Sequence, residues 1–286
     1  MSTIFLKYLL WIIFSNKYHY SIVFLLVFAI VRQTHVRGEV EPSHEWVEGL
    51  LDYYHQTGEH SAYETAIGIG KNVLRQLQQP KYQQKGGINA RETGWALRTL
   101  VALYKETCDE QWLDPAETIV QHFEAWKEEY GGWLAHYTDH TIIRIPFMIA
   151  VAVGSLMRFY RIRPQEKIKV VILDAVTDMV ENCILENGLF YYKELPSLRR
   201  MGNNTLVLEA LADAYELTGN VTFIEKGLAT FYKETMNGET YSVGEKQVVR
   251  DAVILKGPGP KGFAQSFYPI VLFYRVAIKA GIICGD

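Results

Sequence analysis

Four tyrosines, Tyr54, Tyr104, Tyr160 and Tyr215, stand 50, 56 and 55 residues apart, and each lies near the end of an apolar stretch. The turns that follow read "TGE", "TCDE", "RPQE" and "TGN", and a second amphipathic stretch comes after each of them. A repeat of this length built from helix–turn–helix units marks stacked helical hairpins, because a single hairpin cannot bury its own apolar face. The four units open at Gly49, Ala96, Val153 and Leu208, and "FAQSFYPIVLFYRVAIKAGI" (263–282) adds one more helix. Leu97, Leu100, Val101 and Tyr104 recur at helical spacing, as do Leu206, Leu208, Leu211 and Tyr215. Gly58 and Gly219 stand where a helix ends on a left-handed residue. The repeat therefore predicts an all-α domain over residues 39–286 with about nine helices in four and a half hairpins. No strand-rich region is expected beyond a short β-like arm at "GLFYYKELP" (188–196).

The first 38 residues stand apart from this pattern. "IFLKYLLWIIF" (4–14) and "SIVFLLVFAIV" (21–31) are strongly apolar, and each is shorter than the roughly 20 residues that span a bilayer. The second run, followed by basic "RQTHVR", has the form of a signal-peptide core or anchor without a clear cleavage site. An export signal, an uncleaved anchor with membrane contact, and a buried extension stay open. If the segment is not a targeting signal, a cytoplasmic location follows.

Composition narrows the function classes. The net charge of −3 and the lack of a long basic run argue against nucleic-acid binding. Cys108, Cys183 and Cys284 form no CxxC pair, so neither a disulfide framework nor a zinc ribbon is implied, and no cofactor is expected. "KGPGPKGF" (256–263) lacks the GK[ST] ending of a phosphate loop. Aromatic residues make up 13% of the chain, including 18 Tyr and 6 Trp, a supply that can line a groove or fill a core.

The phrases "HEWVEGLLDYYHQTGE" (44–59), "ETGWALRTLVALYKET" (92–107) and "NTLVLEALADAYELTGN" (204–220) resemble the helical hairpins of six-hairpin glycosidases and related polysaccharide lyases. The first phrase also resembles the helical domain of exo-acting rhamnogalacturonan-lyase-like proteins. The resemblance covers residues 40–282 and implies an α/α toroid, incomplete here because fewer than six hairpins are counted. In activity it implies a carbohydrate-active enzyme that cleaves glycosidic bonds of an oligo- or polysaccharide, by hydrolysis or by β-elimination at a uronate. Two alternatives stay open: a non-catalytic helical-repeat protein that binds a glycan or another protein, and a sugar epimerase on the same toroid.

Hairpins stacked around an axis place their within-hairpin turns at one end and their inter-hairpin loops at the other. Here the turns are short and plain. The loops (34–46, 80–95, 131–147, 186–204 and 236–263) are long, polar and aromatic, so chemistry is expected at their end. Hydrolysis needs two carboxylates, one protonated and one ionised; Glu45, Glu48, Glu92, Asp139 and Glu194 are available. Elimination needs a cation against the sugar carboxylate and a His or Tyr as base. His44, His136, Tyr137, His140, Tyr191 and Tyr192 can serve as base, with Arg91, Arg144, Arg199 and Arg200 as cations. A tyrosine base also needs positive charge nearby, because its ordinary pKa is near ~10. Trp46, Trp95 and Trp133 can stack on the apolar face of a pyranose. The candidate catalytic set is His44, Arg91, His136, Tyr137, Asp139, His140 and Tyr191. Glu45, Trp46, Glu92, Trp95, Trp133, Arg144, Tyr192 and Arg199 are the candidate substrate contacts. His136 and His140 have metal-ligand spacing only if helical, and a helix starting near Asp139–Thr141 leaves them in a loop, so no metal is expected.

Overall fold

The computed structural model describes residues 41–83, 90–130, 135–136, 142–194, 205–235, 241–243, 246–248 and 260–284. A 3₁₀ turn (Pro42–His44) leads into ten helices among these residues. The first hairpin is α1 (Glu48–Thr57) and α2 (His60–Leu77), followed by the single turn α3 (Pro80–Gln83). Then come α4 (Ala90–Thr107) with α5 (Glu110–Tyr130), α6 (Pro146–Ile162) with α7 (Glu166–Asn182), and α8 (Thr205–Thr218) with α9 (Thr222–Thr235). A lone α10 (Pro260–Lys279) comes last. Nine long helices in four and a half hairpins match the repeat. Residues 1–40, and with them the targeting question, lie outside the described residues. No described helix is long and apolar enough to cross a membrane.

The within-hairpin turns explain why the repeat is visible. The amide of Gly58 donates to the carbonyl of Tyr54 at 2.7 Å, that of Cys108 to Tyr104 at 2.8 Å, and that of Gly219 to Tyr215 at 2.7 Å. All three turn residues are left-handed, with φ of 73°, 53° and 69°. The preceding threonine also recurs. Thr57, Thr107 and Thr218 each donate a hydroxyl to the carbonyl four residues back. Each of these hydroxyls then accepts the amide of the residue two ahead. Glu59, Asp109 and Asn220 next accept an amide of the following helix on their side chains. Orphan groups of both helix ends are satisfied inside five residues.

α4 packs on α6, α6 on α8 and α8 on α10, forming an inner row to which α1 also belongs, while α2, α5, α7 and α9 lie outside it. α6 and α8 are buried along most of their length, as expected of helices covered on two sides. The core runs between the rows through Leu97, Leu100, Leu103, Trp112, Phe123, Leu156, Ile172 and Phe273. Gly94 lets α4 approach α6 closely, since a Cβ there would come within 3.0 Å of the Ala152 Cα.

Two strand pairs were not expected. Ala135–His136 pairs antiparallel with Ile142–Ile143, and Tyr241–Val243 with Lys246–Val248. The helix placed near Asp139–Thr141 by sequence begins instead at Pro146, with Ile145 as N-cap. Pro146 pre-sets the helical φ and lacks only an amide hydrogen that the first turn leaves unbonded. The β-branched Ile142 and Ile143 favour the extended pairing ahead of it. In the expected arm, Ile184 bridges Phe190 and the Leu185 amide donates to the Leu189 carbonyl.

Candidate functional site

Side chains from all five inner helices meet at one place, which fixes the axis of the toroid. Arg158 of α6 donates through Nε to Glu48 of α1 at 2.8 Å and through Nη1 to Glu209 of α8. Its guanidinium also lies 5.0 Å over the ring of Tyr268 of α10. Arg98 of α4 reaches the same Glu209 oxygen at 2.9 Å and sits 4.6 Å over the ring of Trp95. One turn along, Arg161 donates to Asp213 and Glu216, both at 2.8 Å. Gly154 makes room for this arrangement. A Cβ there would stand 2.6 Å from Glu209 Oε1 and 2.9 Å from Arg98 Nη2, and its carbonyl accepts from Arg158.

The carboxylates of this cluster differ in access. Glu209 and Asp213 are buried. Glu48 is half-buried, and its side chain keeps 42% of its surface open. Burial alone would raise the pKa of Glu48, but Arg158 and Arg98 outweigh it and keep the carboxyl ionised. The same balance, with the same two arginines, holds Glu209 below the usual range. Asp213 is shifted up instead, by burial and then by repulsion from Glu209. Ionised and protonatable carboxyls thus stand side by side on one helix face.

The residues singled out by sequence fall into two groups. His44, Glu45, Trp46, Arg91, Glu92 and Trp95 come together where the 3₁₀ turn meets α4. Buried Glu92 accepts the Ser43 amide at 2.9 Å and Arg91 Nε at 2.8 Å. Trp46 stacks on Trp95 at 4.6 Å, joining this group to Arg98 of the axial cluster. His44 Nδ1 lies 3.2 Å from the Ser43 hydroxyl. The Glu45 carboxyl turns towards Asn72 of α2, away from the axis, while its carbonyl accepts from Thr99 at 2.8 Å. Burial raises its pKa to about 7 against the hydrogen bonds from Asn72 and Gln76.

The second group lies beside α7. Arg144 donates to both oxygens of Asp178, at 2.9 and 3.0 Å, and to Glu194 at 3.2 Å, so its charge is already matched by two carboxylates. Tyr191 is buried and accepts a hydrogen bond from the Cys183 thiol at 3.2 Å. Burial raises the pKa of its hydroxyl, which works against a role as base. Tyr192 stacks on Phe147 at 5.5 Å. His136 belongs to a strand through its backbone pairing with Ile142. Trp133, Tyr137, Asp139, His140, Arg199 and Arg200 lie outside the described residues. Among the described residues no three His, Cys, Asp or Glu side chains are grouped to hold a metal.

Apart from Glu48, the axial residues were not read from sequence. A signal was present: Glu209, Asp213 and Glu216 stand at i, i+4 and i+7 in "LEALADAYEL", on a helix that is otherwise apolar. Charges so placed in a buried helix must be paired from outside it.

The toroid of helical hairpins, taken with the family model that the sequence matches, places this protein among carbohydrate-active proteins of the six-hairpin glycosidase superfamily. Its particular family follows from the sequence: residues 31–245 match the model for the beta-L-arabinofuranosidase GH127 catalytic domain, and the chain belongs to that family. No curated protein matches it significantly. Solved structures share the fold at low identity. The GH76A α-1,6-mannanase of Salegentibacter sp. HEL1_6 is 13% identical with a TM-score of 0.59, over 84% of this chain and 75% of that one. The unsaturated glucuronyl hydrolase of Bacillus sp. GL1 is 12% identical with a TM-score of 0.57, over 81% and 72%. A polysaccharide lyase is 13% identical with a TM-score of 0.57, over 84% and 74%.

Proposed function

We propose that the protein hydrolyses a glycosidic bond at the axial cluster, with Glu48 as the ionised carboxylate that attacks the anomeric carbon or activates the water that does. The observation that carries this reading is Glu48 itself, ionised beside Arg158 and the most open of the axial carboxylates. Family membership points to hydrolysis, and the family's name makes an L-arabinofuranoside the first substrate to try. The proton donor is proposed to come from the inter-hairpin loops, where Asp139 and His140 lie, because the Glu45 carboxyl faces α2. Trp46 and Trp95 are proposed to border the sugar.

Elimination is supported less well. It needs a cation free for the uronate carboxylate, and among the described residues Arg91, Arg98, Arg144, Arg158 and Arg161 all hold protein carboxylates. The test uses aryl β-L-arabinofuranoside, other aryl glycosides and pectin, with phenol release, reducing ends and unsaturated-uronate absorbance as readouts. Phenol and reducing ends without unsaturated product are expected. Unsaturated product from pectin supports elimination instead. Glycan binding without turnover across the panel supports a binding protein.

A further inference from the structure

α10 carries an exposed face that begins at the axial cluster, with Tyr268, and runs away from it. Phe267, Tyr268, Val271 and Tyr274 lie at i, i+1, i+4 and i+7 of the helix and are each 41–49% exposed. Tyr274 lies parallel to Phe231 of α9, with ring centroids 6.0 Å apart, and the neighbouring Tyr232 is exposed as well. The opposite face of α10 packs against its neighbours through Ile270, Phe273, Val276 and Ala277.

We propose that this face is an oligosaccharide platform that leads outward from the axial cluster, and that it holds the part of a polymeric substrate beyond the cleaved bond. Three observations point to a glycan as the occupant. The face adjoins the axial cluster, because the ring of Tyr268 underlies Arg158, the partner of Glu48. Its exposed groups are mostly rings, three of them tyrosines that offer both an apolar face and a hydroxyl to a sugar. Its extent suits a ligand of a few sugars. Phe267 to Tyr274 covers about 10 Å of helix. The five exposed side chains present roughly 500 Å², below the about 800 Å² per partner of a stable dimer and within the range of functional patches on monomers.

The proposal rests on the glycosidase reading for its link to the axial cluster, but binding tests it separately. Affinity electrophoresis of the full chain through gels containing arabinan, α-mannan or pectin reports binding whether or not turnover occurs. Wild type is expected to be retarded by at least one of these polymers. Val271→Lys and Tyr274→Ala are expected to weaken that retardation about tenfold or more, as loss of one stacked ring or apolar contact does. With a turnover substrate in hand, their loss in kcat/KM on the polymer is expected to exceed any loss on the aryl glycoside. Tyr274→Phe, which keeps the ring, preserves binding, and thermal melts confirm that the variants fold. Undiminished retardation in folded Val271→Lys and Tyr274→Ala overturns the platform even if the enzyme hydrolyses glycosides. So does a wild-type chain that no polymer retards. A wild-type dimer that Val271→Lys converts to monomer, with polymer binding unaltered, assigns the face to self-association instead. Retardation lost in the variants of a chain that turns nothing over keeps the platform and removes only the hydrolysis.

Discussion

Arg158 joins its own helix to three others, through Glu48 on α1, Glu209 on α8 and Tyr268 on α10. Its removal leaves Glu209 buried beside Arg98 with half of its paired charge gone. Arg158→Met is therefore expected to cost about 3–5 kcal/mol in urea unfolding, the range for breaking one side of a buried pair. The acid limb of activity should also move to higher pH, because Glu48 loses the charge that keeps it ionised. Gly154→Ala places a methyl group against Glu209 and Arg98, and a loss of about 1–3 kcal/mol is expected from overpacking. Glu45 gives a test by pH. Its folded pKa of about 7 lies above the ordinary 4.5, so the folded state binds this proton more tightly than the unfolded chain. That contribution to stability is complete below pH 4.5 and is lost as pH rises through about 7. Unfolding free energies measured across this window should show the fall in wild type and a flatter profile in Glu45→Gln. Equal slopes in the two would show that Glu45 ionises normally.

The hairpins were legible in the sequence because each turn closes on itself within a few residues. Thr57-Gly58-Glu59, Thr107-Cys108-Asp109 and Thr218-Gly219-Asn220 repeat one set of hydrogen bonds, so the pattern needs no tertiary partner. Cys108 departs from the glycine pattern, holding φ of 53° with a side chain. Cys108→Gly should stabilise the protein by about 1 kcal/mol, less the entropy that glycine costs the folded state, as read by a raised urea midpoint. The α6 start was misplaced because a two-residue strand leaves no periodicity to read, and Ile142–Ile143 suits a strand or a helix until Ala135–His136 pairs with it. The axial site was hidden for another reason. Glu48 and Arg158 are 110 residues apart, and Arg98 and Glu209 are 111 apart. Each such pair joins different repeats, and only the ring of inner helices brings them together.

At the scale of the whole molecule, the inner helices do two things at once. Their apolar faces make the core against the outer row, and their remaining faces gather charge at the axis, where burial and pairing set which carboxyls ionise. The rim group of His44, Trp46, Arg91, Glu92 and Trp95 adjoins this axis through the stacked tryptophans, whereas Arg144 and Tyr191 are tied into a separate network beside α7. The repeat made the helical-hairpin fold legible, and the resemblance of residues 44–59, 92–107 and 204–220 to six-hairpin glycosidases made the class of molecule legible. The sequence reading placed the chemistry in the loops, while the structure adds a charged centre on the helices below them. The account stands most directly on Glu48. Steady-state hydrolysis of aryl β-L-arabinofuranoside, or of whichever aryl glycoside the wild type accepts, should fall about 10²–10⁴-fold in kcat in Glu48→Gln with the thermal melt little changed. A folded Glu48→Gln that hydrolyses the same substrate at the wild-type rate would contradict it.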